Sequence, residues 1–163
     1  MRLAYRELAG RTGHQAGRQL LEELYRQETG EALPPVSVTP RGKPYLENSP
    51  WHFSISHTSR HVFCVLAEEN VGVDAEELDR SVSLSLADKI LSPGEKRQFD
   101  RAEDKSRALL TFWVLKEAEA KRTGEGLRIY PNHTNFSLED PRVQEIGRCL
   151  VAVLTDEEEN HAL

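Results

Sequence analysis

The sequence predicts an α+β protein in which short strands surround two long helices. One helical pattern runs through residues 10–29 and a second through residues 103–123, each with apolar side chains at helical spacing. Around them, short segments alternate in side-chain size or polarity, as strands do. With 163 residues and 38% hydrophobic content, residues 1–163 are predicted to form a single compact unit with one sizeable core.

The composition of the chain argues against several classes of protein. No apolar run approaches the length of a membrane span, and the N-terminal residues lack the apolar stretch of a signal peptide. Cys64 and Cys149 are too few for a disulfide framework and show no metal-type spacing, so a cytoplasmic protein with reduced thiols is predicted. The formal net charge of -6 argues against broad nucleic-acid binding. An acidic chain can nevertheless carry a local basic pocket for a phosphorylated small molecule.

The first portion of the chain reads as strand, helix and strands. Residues 3–6 fit a first strand, and the helix of residues 10–29 ends before Gly30, which suits a C-terminal cap. A strand over residues 36–39 is followed by the turn Pro40-Arg41-Gly42-Lys43-Pro44-Tyr45. Proline and glycine restrict and shape this turn, so it either presents Lys43 at a defined place or is an ordinary surface turn.

Two carboxylates stand out in the strands that follow. Residues 51–56, 62–67 and 71–76 each read as a strand, and the last contains Asp74 and Glu76. Because side chains two apart in a strand point to the same side, these carboxylates repel each other unless a cation lies between them. A hard divalent ion such as Mg²⁺ fits, since carboxylates are its typical protein ligands. A solvated sheet edge is the alternative.

The second portion is mainly helical before it returns to strands. Residues 84–91 fit a short helix, and Ser92-Pro93-Gly94-Glu95 forms a capping box that opens the next one. Glu95 therefore has a structural explanation of its own. Residues 127–131, 134–138 and 149–154 are predicted strands, and residues 155–160 begin an acidic tail that is expected to fray.

One face of the long helix of residues 103–123 combines charged side chains with a tryptophan. One stripe at helical spacing contains Trp113, Lys116, Glu117, Ala120 and Lys121. A core face does not tolerate three charges without partners, and an exposed face has no need of the tryptophan. Either this face lines a polar cleft, or the charged side chains reach solvent from its edges.

Five motifs occur in an order that resembles a known family. They are Gly42-Lys43-Pro44, Phe53-Ser54-Ile55-Ser56-His57, Val71-Gly72-Val73-Asp74-Ala75-Glu76, Leu91-Ser92-Pro93-Gly94-Glu95 and Trp113-Val114-Leu115-Lys116-Glu117-Ala118-Glu119-Ala120-Lys121. The chain thereby resembles the 4'-phosphopantetheinyl transferases that serve secondary-metabolite and fatty-acid carrier proteins. Leu8-Ala9-Gly10-Arg11 extends the resemblance towards the N-terminus. The chain departs from the family at Ser54, where asparagine is usual, and it is shorter than typical members.

The resemblance implies a fold of two similar α+β halves related by a pseudo-twofold. Each half is a long helix packed on an antiparallel three-stranded sheet, with the nucleotide in the cleft between them. Here the halves correspond to residues 1–69 and 70–155, with an acidic tail over residues 156–163. A chain that holds both halves is expected to be a monomer.

The resemblance also implies a reaction and a site. The phosphopantetheine arm of coenzyme A passes to a serine of an apo acyl or peptidyl carrier protein, and 3',5'-ADP is released. Lys116 and Lys121 lie over phosphate oxygens, and Glu117 or Glu95 accepts the serine proton, directly or through a metal-bound water. Three carboxylates bind Mg²⁺, and residues of the earlier motifs bind the nucleotide end of coenzyme A. The metal ligands are Asp74, Glu76 and Glu117, and the nucleotide contacts are Arg11, Lys43, Pro44, Ser56 and His57.

Two further hypotheses stay open on the sequence. The chain could bind coenzyme A or a nucleotide without productive transfer to a carrier protein. Alternatively, it could be an unrelated metal-dependent phosphohydrolase whose carboxylates coincide with the motifs. The order of the motifs argues against the hydrolase, since that activity gives no reason for the glycine-lysine-proline and serine-histidine segments.

Overall fold

The computed structural model describes residues 1–125 and 133–156. Six elements form its first part: β1 (Arg2–Glu7), α1 (Gly13–Thr29), β2 (Val36–Val38), β3 (Pro44–Leu46), β4 (His52–His57) and β5 (His61–Ala67). The second part follows with β6 (Val71–Glu77), a 3₁₀ turn (Leu84–Leu86), α2 (Ala87–Ile90), α3 (Pro93–Arg101), α4 (Lys105–Thr123), β7 (Val143–Ile146) and β8 (Cys149–Thr155).

Both parts share one topology. Each contributes an antiparallel three-stranded sheet, in the order β1-β5-β4 for the first and β6-β8-β7 for the second. In each sheet the last strand of the part lies in the middle, between the strand before its long helix and the strand after it. A small β2-β3 ladder is added to the first part. The predicted α+β fold, with one long helix for each antiparallel sheet, is confirmed.

Alternation along the strands explains how the layers pack. On β5, Val62, Cys64 and Leu66 face α1 and form one apolar cluster with its buried leucines. Phe63 and Val65 point the other way and join a cluster with side chains of β6 and β8. The helix α4 covers the second sheet through a further cluster. The two sheets therefore meet between the helices, because each central strand is apolar on both faces.

Helix α4 lies unusually close to β6. A Cβ atom added to Gly72 would stand 1.9 Å from the carbonyl oxygen of Ala118 and 2.6 Å from the amide nitrogen of Arg122. Only glycine permits this approach of backbone to backbone. Asp74 and Glu76 continue the same face of β6, so the close contact sets both carboxylates against α4.

The helix ends follow local chemistry. Thr12 caps α1, and its side chain accepts a hydrogen bond from the amide of Gln15. The helix consequently begins at Gly13 and not at Gly10, which lies with Ala9 in a turn of positive φ. Gly30 closes the helix in the left-handed conformation, as predicted. The capping box of Ser92 and Glu95 is also confirmed.

Four elements differ from the prediction, and one of them is the strand β3, whose first two residues were predicted to lie in a turn. Residues 84–91 form a 3₁₀ turn and a four-residue helix in place of one short helix. Residues 134–138 form no strand, because their backbone amides bond to side chains: Phe136 to Glu95 and Leu138 to Gln98, at 2.9 and 3.0 Å. The strand β7 was not predicted. The strand predicted at residues 127–131 and most of the acidic tail lie outside the described residues. Among the helices described, none combines the length and apolarity needed to cross a membrane.

Candidate active site

A cleft of about 690 Å³ opens between the two parts of the chain. Its walls come from the start of α1, the β2–β3 turn, β4 and the second half of α4. Four cationic side chains and one carboxylate are among the lining residues described: Arg18, Arg41, Lys43, Lys121 and Glu117. This cationic lining contrasts with the chain's net charge of -6 and suits a ligand rich in phosphate.

Asp74 lies buried between β4, β6 and α4, with 6% of its surface exposed. Its Oδ1 accepts hydrogen bonds from the Ser56 hydroxyl and the Lys121 ammonium, both at 3.2 Å, whereas Oδ2 is buried without a partner among the described atoms. Burial raises the pKa of Asp74 to about 7; Lys121 opposes this, and the charges of Glu117 and Glu76 add to it. A buried carboxylate oxygen without a donor is costly unless a cation or proton serves it.

The other two predicted metal ligands, Glu76 and Glu117, lie close enough to Asp74 for their charges to act on its carboxylate. The indole nitrogen of Trp113 donates to Glu76 Oε1 at 3.2 Å, and Arg80 forms an ion pair with the same oxygen. Burial raises the pKa of Glu117, Lys121 opposes that rise, and the charge of Glu76 reinforces it. Among the described residues, only His61, Glu77 and Cys149 bring three possible ligand atoms within 4.8 Å, so the three cleft carboxylates are not gathered that tightly.

The donor set of the cleft fits a hard divalent cation. Carboxylate oxygens are the protein ligands that Mg²⁺ prefers, and Asp74 offers one that has no other partner described. Mutual repulsion keeps such carboxylates apart when no cation compensates their charge, and here Arg80 draws Glu76 while Lys121 draws Asp74. A metal at this position would relieve the cost that the raised pKa of Asp74 reflects.

Lys121 ties the helix to both sheets. Its ammonium donates to the carbonyls of Ile55 and Val73, at 3.3 and 3.0 Å, as well as to Asp74. Serine hydroxyls complete the junction, because the amides of Val73 and Ala75 donate to Ser54 and Ser56 at 3.1 Å each.

Ser56 is thereby placed differently from the expectation for a nucleotide contact. Its hydroxyl is buried and engaged with β6 and Asp74. This arrangement makes it a support for the Asp74 carboxylate.

Lys116 and Glu95 pair in the interior, away from the cleft lining. The ammonium lies 2.6 Å from Glu95 Oε1, with side-chain exposures of 1% and 0%. Glu95 also accepts hydrogen bonds from the amides of Ser92 and Phe136, and the Lys116 ammonium donates to the Thr134 hydroxyl. Burial lowers the pKa of Lys116, and Glu95 opposes that effect. The pair ties α3, α4 and residues 134–136 together.

The predicted nucleotide contacts divide into two groups. Lys43, Pro44 and His57 line the cleft, and the His57 ring packs against the backbone of Gly13 at the start of α1. The Lys43 ammonium donates to Asn70 at 3.3 Å and to the carbonyl of Arg122 at the end of α4. Burial lowers the pKa of Lys43.

Arg11 does not line the cleft. Its guanidinium donates to the Leu8 carbonyl at 3.2 Å and to Gln19 at 2.5 Å, which fixes the turn before α1. The cleft instead receives His14 and Arg18 from α1 and Arg41 from the β2–β3 turn. The helical spacing of His14 and Arg18 was a usable signal, and so was the position of Arg41 beside Lys43.

Comparison with known proteins points to one family. The sequence model of the 4'-phosphopantetheinyl transferase superfamily matches residues 70–162. A 4'-phosphopantetheinyl transferase of Bacillus subtilis is 28% identical over 102 residues, which cover 61% of this chain and 45% of that protein. The transferase Sfp of Bacillus subtilis (strain 168) is 30% identical over 134 residues, 78% of this chain and 58% of Sfp. The transferase ffp of Bacillus subtilis is 28% identical over 155 residues, 92% of this chain and 66% of ffp.

The matches thus span 45% to 66% of the length of these three relatives. The family model covers more than half of the present chain, including β6 and α4, the two elements that carry Asp74, Glu76, Glu117 and Lys121. The chain belongs to the 4'-phosphopantetheinyl transferase superfamily.

Proposed function

We propose that this chain transfers the 4'-phosphopantetheine arm of coenzyme A to a serine hydroxyl of an apo acyl or peptidyl carrier protein. One observation carries the proposal. A cationic cleft ends at a buried aspartate that has one oxygen without a described partner, flanked by Lys121 and in the electrostatic range of Glu117. Such a site suits the pyrophosphate of a nucleotide-linked donor, and relatives of similar sequence carry the name of this activity.

The cationic walls are proposed to bind the nucleotide end of coenzyme A. Arg18, Arg41 and Lys43 can neutralise its phosphates, and Pro44 and His57 supply neighbouring contacts. Lys121 lies deeper, beside Asp74, and is proposed to contact the pyrophosphate. Binding an anion there would compensate the positive charge that the cleft concentrates.

Asp74, Glu76 and Glu117 are proposed to hold Mg²⁺. When bound, the ion neutralises charge on the pyrophosphate and stabilises the leaving group. The environment of Asp74 and Glu117 supports this assignment, because burial first, and neighbouring carboxylates second, raise the pKa of both groups, and a cation would offset both effects.

Transfer breaks one phosphorus–oxygen bond and forms another. The serine oxygen attacks the phosphorus that bears the pantetheine arm, and the bridging oxygen departs with 3',5'-ADP. Glu117 is proposed to accept the serine proton, directly or through a water, since it is the carboxylate among the described residues that line the cleft. Glu95, the other candidate, is fully buried with its oxygens engaged, so it is proposed to position α3 and α4 instead.

Lys116 belongs to the same supporting layer as Glu95, and Ser56 and Arg11 support the walls of the cleft through the contacts described above. The chain already carries both sheets and both long helices, so we propose that a monomer acts. A cytoplasmic location, where coenzyme A and carrier proteins meet, and the absence of a nucleic-acid or membrane partner complete the proposal.

Mass spectrometry of an apo carrier protein provides the test. The carrier is incubated with coenzyme A, Mg²⁺ and this protein, and a mass gain of one phosphopantetheine arm is expected. If several carriers stay unmodified while coenzyme A still binds, the chain is a binding protein and the transfer proposal is wrong. Release of inorganic phosphate would instead indicate a phosphohydrolase.

A further inference from the structure

A second cluster of possible metal ligands lies at the ends of three strands. His61 begins β5, Glu77 ends β6 and Cys149 begins β8. Glu77 and Cys149 are direct partners in the β6–β8 ladder, and β5 of the other sheet brings His61 onto the same spot. The cluster therefore joins the two parts of the chain, and it is separate from the cationic cleft, whose lining includes none of the three.

The ligand atoms already converge. His61 Nδ1 lies 2.7 Å from Glu77 Oε1 and 3.5 Å from Cys149 Sγ, and all three atoms fall within 4.8 Å of one another. The side chains of His61 and Glu77 are 13% and 5% exposed, and Cys149 is fully buried. Ligand atoms in a tetrahedral zinc site stand about 3.3–3.7 Å apart. The nitrogen–sulfur distance already falls in this range, and the nitrogen–oxygen pair must open slightly.

We propose that His61, Glu77 and Cys149 form a site for a transition metal of the Zn²⁺ type. One nitrogen, one oxygen and one sulfur ligand suit such an ion, whereas Mg²⁺ avoids sulfur. Metal binding replaces the proton of the Cys149 thiol, which passes to solvent, by a sulfur–metal bond, and the proton on His61 Nδ1 gives way to the metal while Nε2 carries the ring proton.

One of the three ligands, Glu77, also lines a cavity. This cavity of about 530 Å³ is lined by Glu77 and by Thr58, whose hydroxyl donates to Glu77 Oε1 at 2.5 Å. A water reaching the metal from this cavity can occupy the fourth position. Arg60, which lies 3.4 Å from Glu77, keeps its stronger contact with Asp79 at 2.7 Å when the metal binds.

Such a metal would act as a clamp between the two sheets. One ligand comes from the first sheet and two come from the second, so separation of the sheets would break coordination. Binding to the folded state alone raises the melting temperature as the metal concentration rises.

Absorption spectroscopy with Co²⁺ tests the proposal on the full chain. In excess Mg²⁺, which fills the cleft carboxylates, we expect one Co²⁺ per chain and an intense near-ultraviolet thiolate-to-cobalt band. Added Zn²⁺ abolishes the band because Zn²⁺ binds such ligands more tightly than Co²⁺ does. Cys149→Ser should remove the band, and His61→Gln should weaken Co²⁺ binding about tenfold or more. Cys64→Ser is the matched control, since this second buried cysteine lies outside the cluster and the band should persist.

The wild-type spectrum decides the question even if a variant does not fold. Absence of a thiolate band in the folded wild-type protein overturns the proposal. A band that survives Cys149→Ser but disappears in Cys64→Ser assigns the metal elsewhere and overturns it too. A band that forms only when Mg²⁺ is left out would also overturn the proposal, because Mg²⁺ avoids sulfur and should not compete at the cluster.

Discussion

Replacing Asp74 with asparagine is expected to stabilise the metal-free fold while it removes the proposed activity. The carboxyl group is buried, and its pKa is raised from the usual 3.8 to about 7. A group with a raised pKa contributes stability that is fully present below its unfolded pKa and is lost as the pH rises through the folded one. For these two values, the loss between pH 5 and pH 8 is about 2.5 kcal/mol.

The variant isolates this contribution because asparagine cannot ionise. Well above pH 7, the difference between the two pKa values lowers the free energy of unfolding of the wild-type protein by about 4 kcal/mol. The raised pKa of Asp74 already includes its attraction to Lys121, so the loss of that ion pair in the variant adds no separate cost. We therefore expect Asp74→Asn to be about 4 kcal/mol more stable than wild type at pH 8, and the advantage to fall to about 1.5 kcal/mol at pH 5.

Urea unfolding at both pH values, in a buffer with chelator, measures the effect. Asp88→Asn is the control, since the Asp88 side chain is 79% exposed and should change little at either pH. Mg²⁺ should then stabilise wild type but not Asp74→Asn. The reasoning is refuted if the difference between wild type and Asp74→Asn stays constant from pH 5 to pH 8.

Three other predictions follow from the same contacts. Lys116→Met should destabilise the fold by about 3–5 kcal/mol in urea, because it leaves the Glu95 carboxylate buried without its cation, and the added change Glu95→Gln should recover part of the loss. Gly72→Ala should lower the melting temperature sharply or prevent folding, since its Cβ would overlap the α4 backbone; a normal melting curve would contradict the close packing. Lys121→Met should weaken coenzyme A binding in calorimetry about tenfold, and unchanged binding would exclude the proposed phosphate contact.

Local patterns were sufficient for most of the fold. The alternation on β5 and β6 predicted both strands, and Gly30 and the Ser92–Glu95 box predicted helix ends that the structure contains. These signals depend on neighbouring residues, so they survive without knowledge of the tertiary structure. The strand predicted at residues 134–138 was wrong for the opposite reason, since its backbone amides bond to side chains some forty positions away in the sequence.

In the candidate site, too, local patterns predicted some features and missed others. Asp74 and Glu76 were placed on one side of β6 by the period of a strand, and the structure has both on the face towards α4. Lys116 and Lys121 belong to one helical stripe, but five positions turn a helix by about 140° beyond a full turn. The two side chains therefore stand at opposite edges of the stripe, where Lys116 meets Glu95 and Lys121 meets Asp74. The packing of α3 against α4 determines the partner of Lys116.

The central claim is that two strand carboxylates and one helix carboxylate serve a single metal at the pyrophosphate of coenzyme A. Electron paramagnetic resonance with Mn²⁺ in place of Mg²⁺ tests it most directly, with phosphorus couplings recorded in the presence of coenzyme A. The account predicts one bound Mn²⁺ per chain with coupling to phosphorus, and loss of that signal in Asp74→Asn and in Glu117→Gln. Bound Mn²⁺ that shows no phosphorus coupling, or that is unaffected by both substitutions, would contradict it.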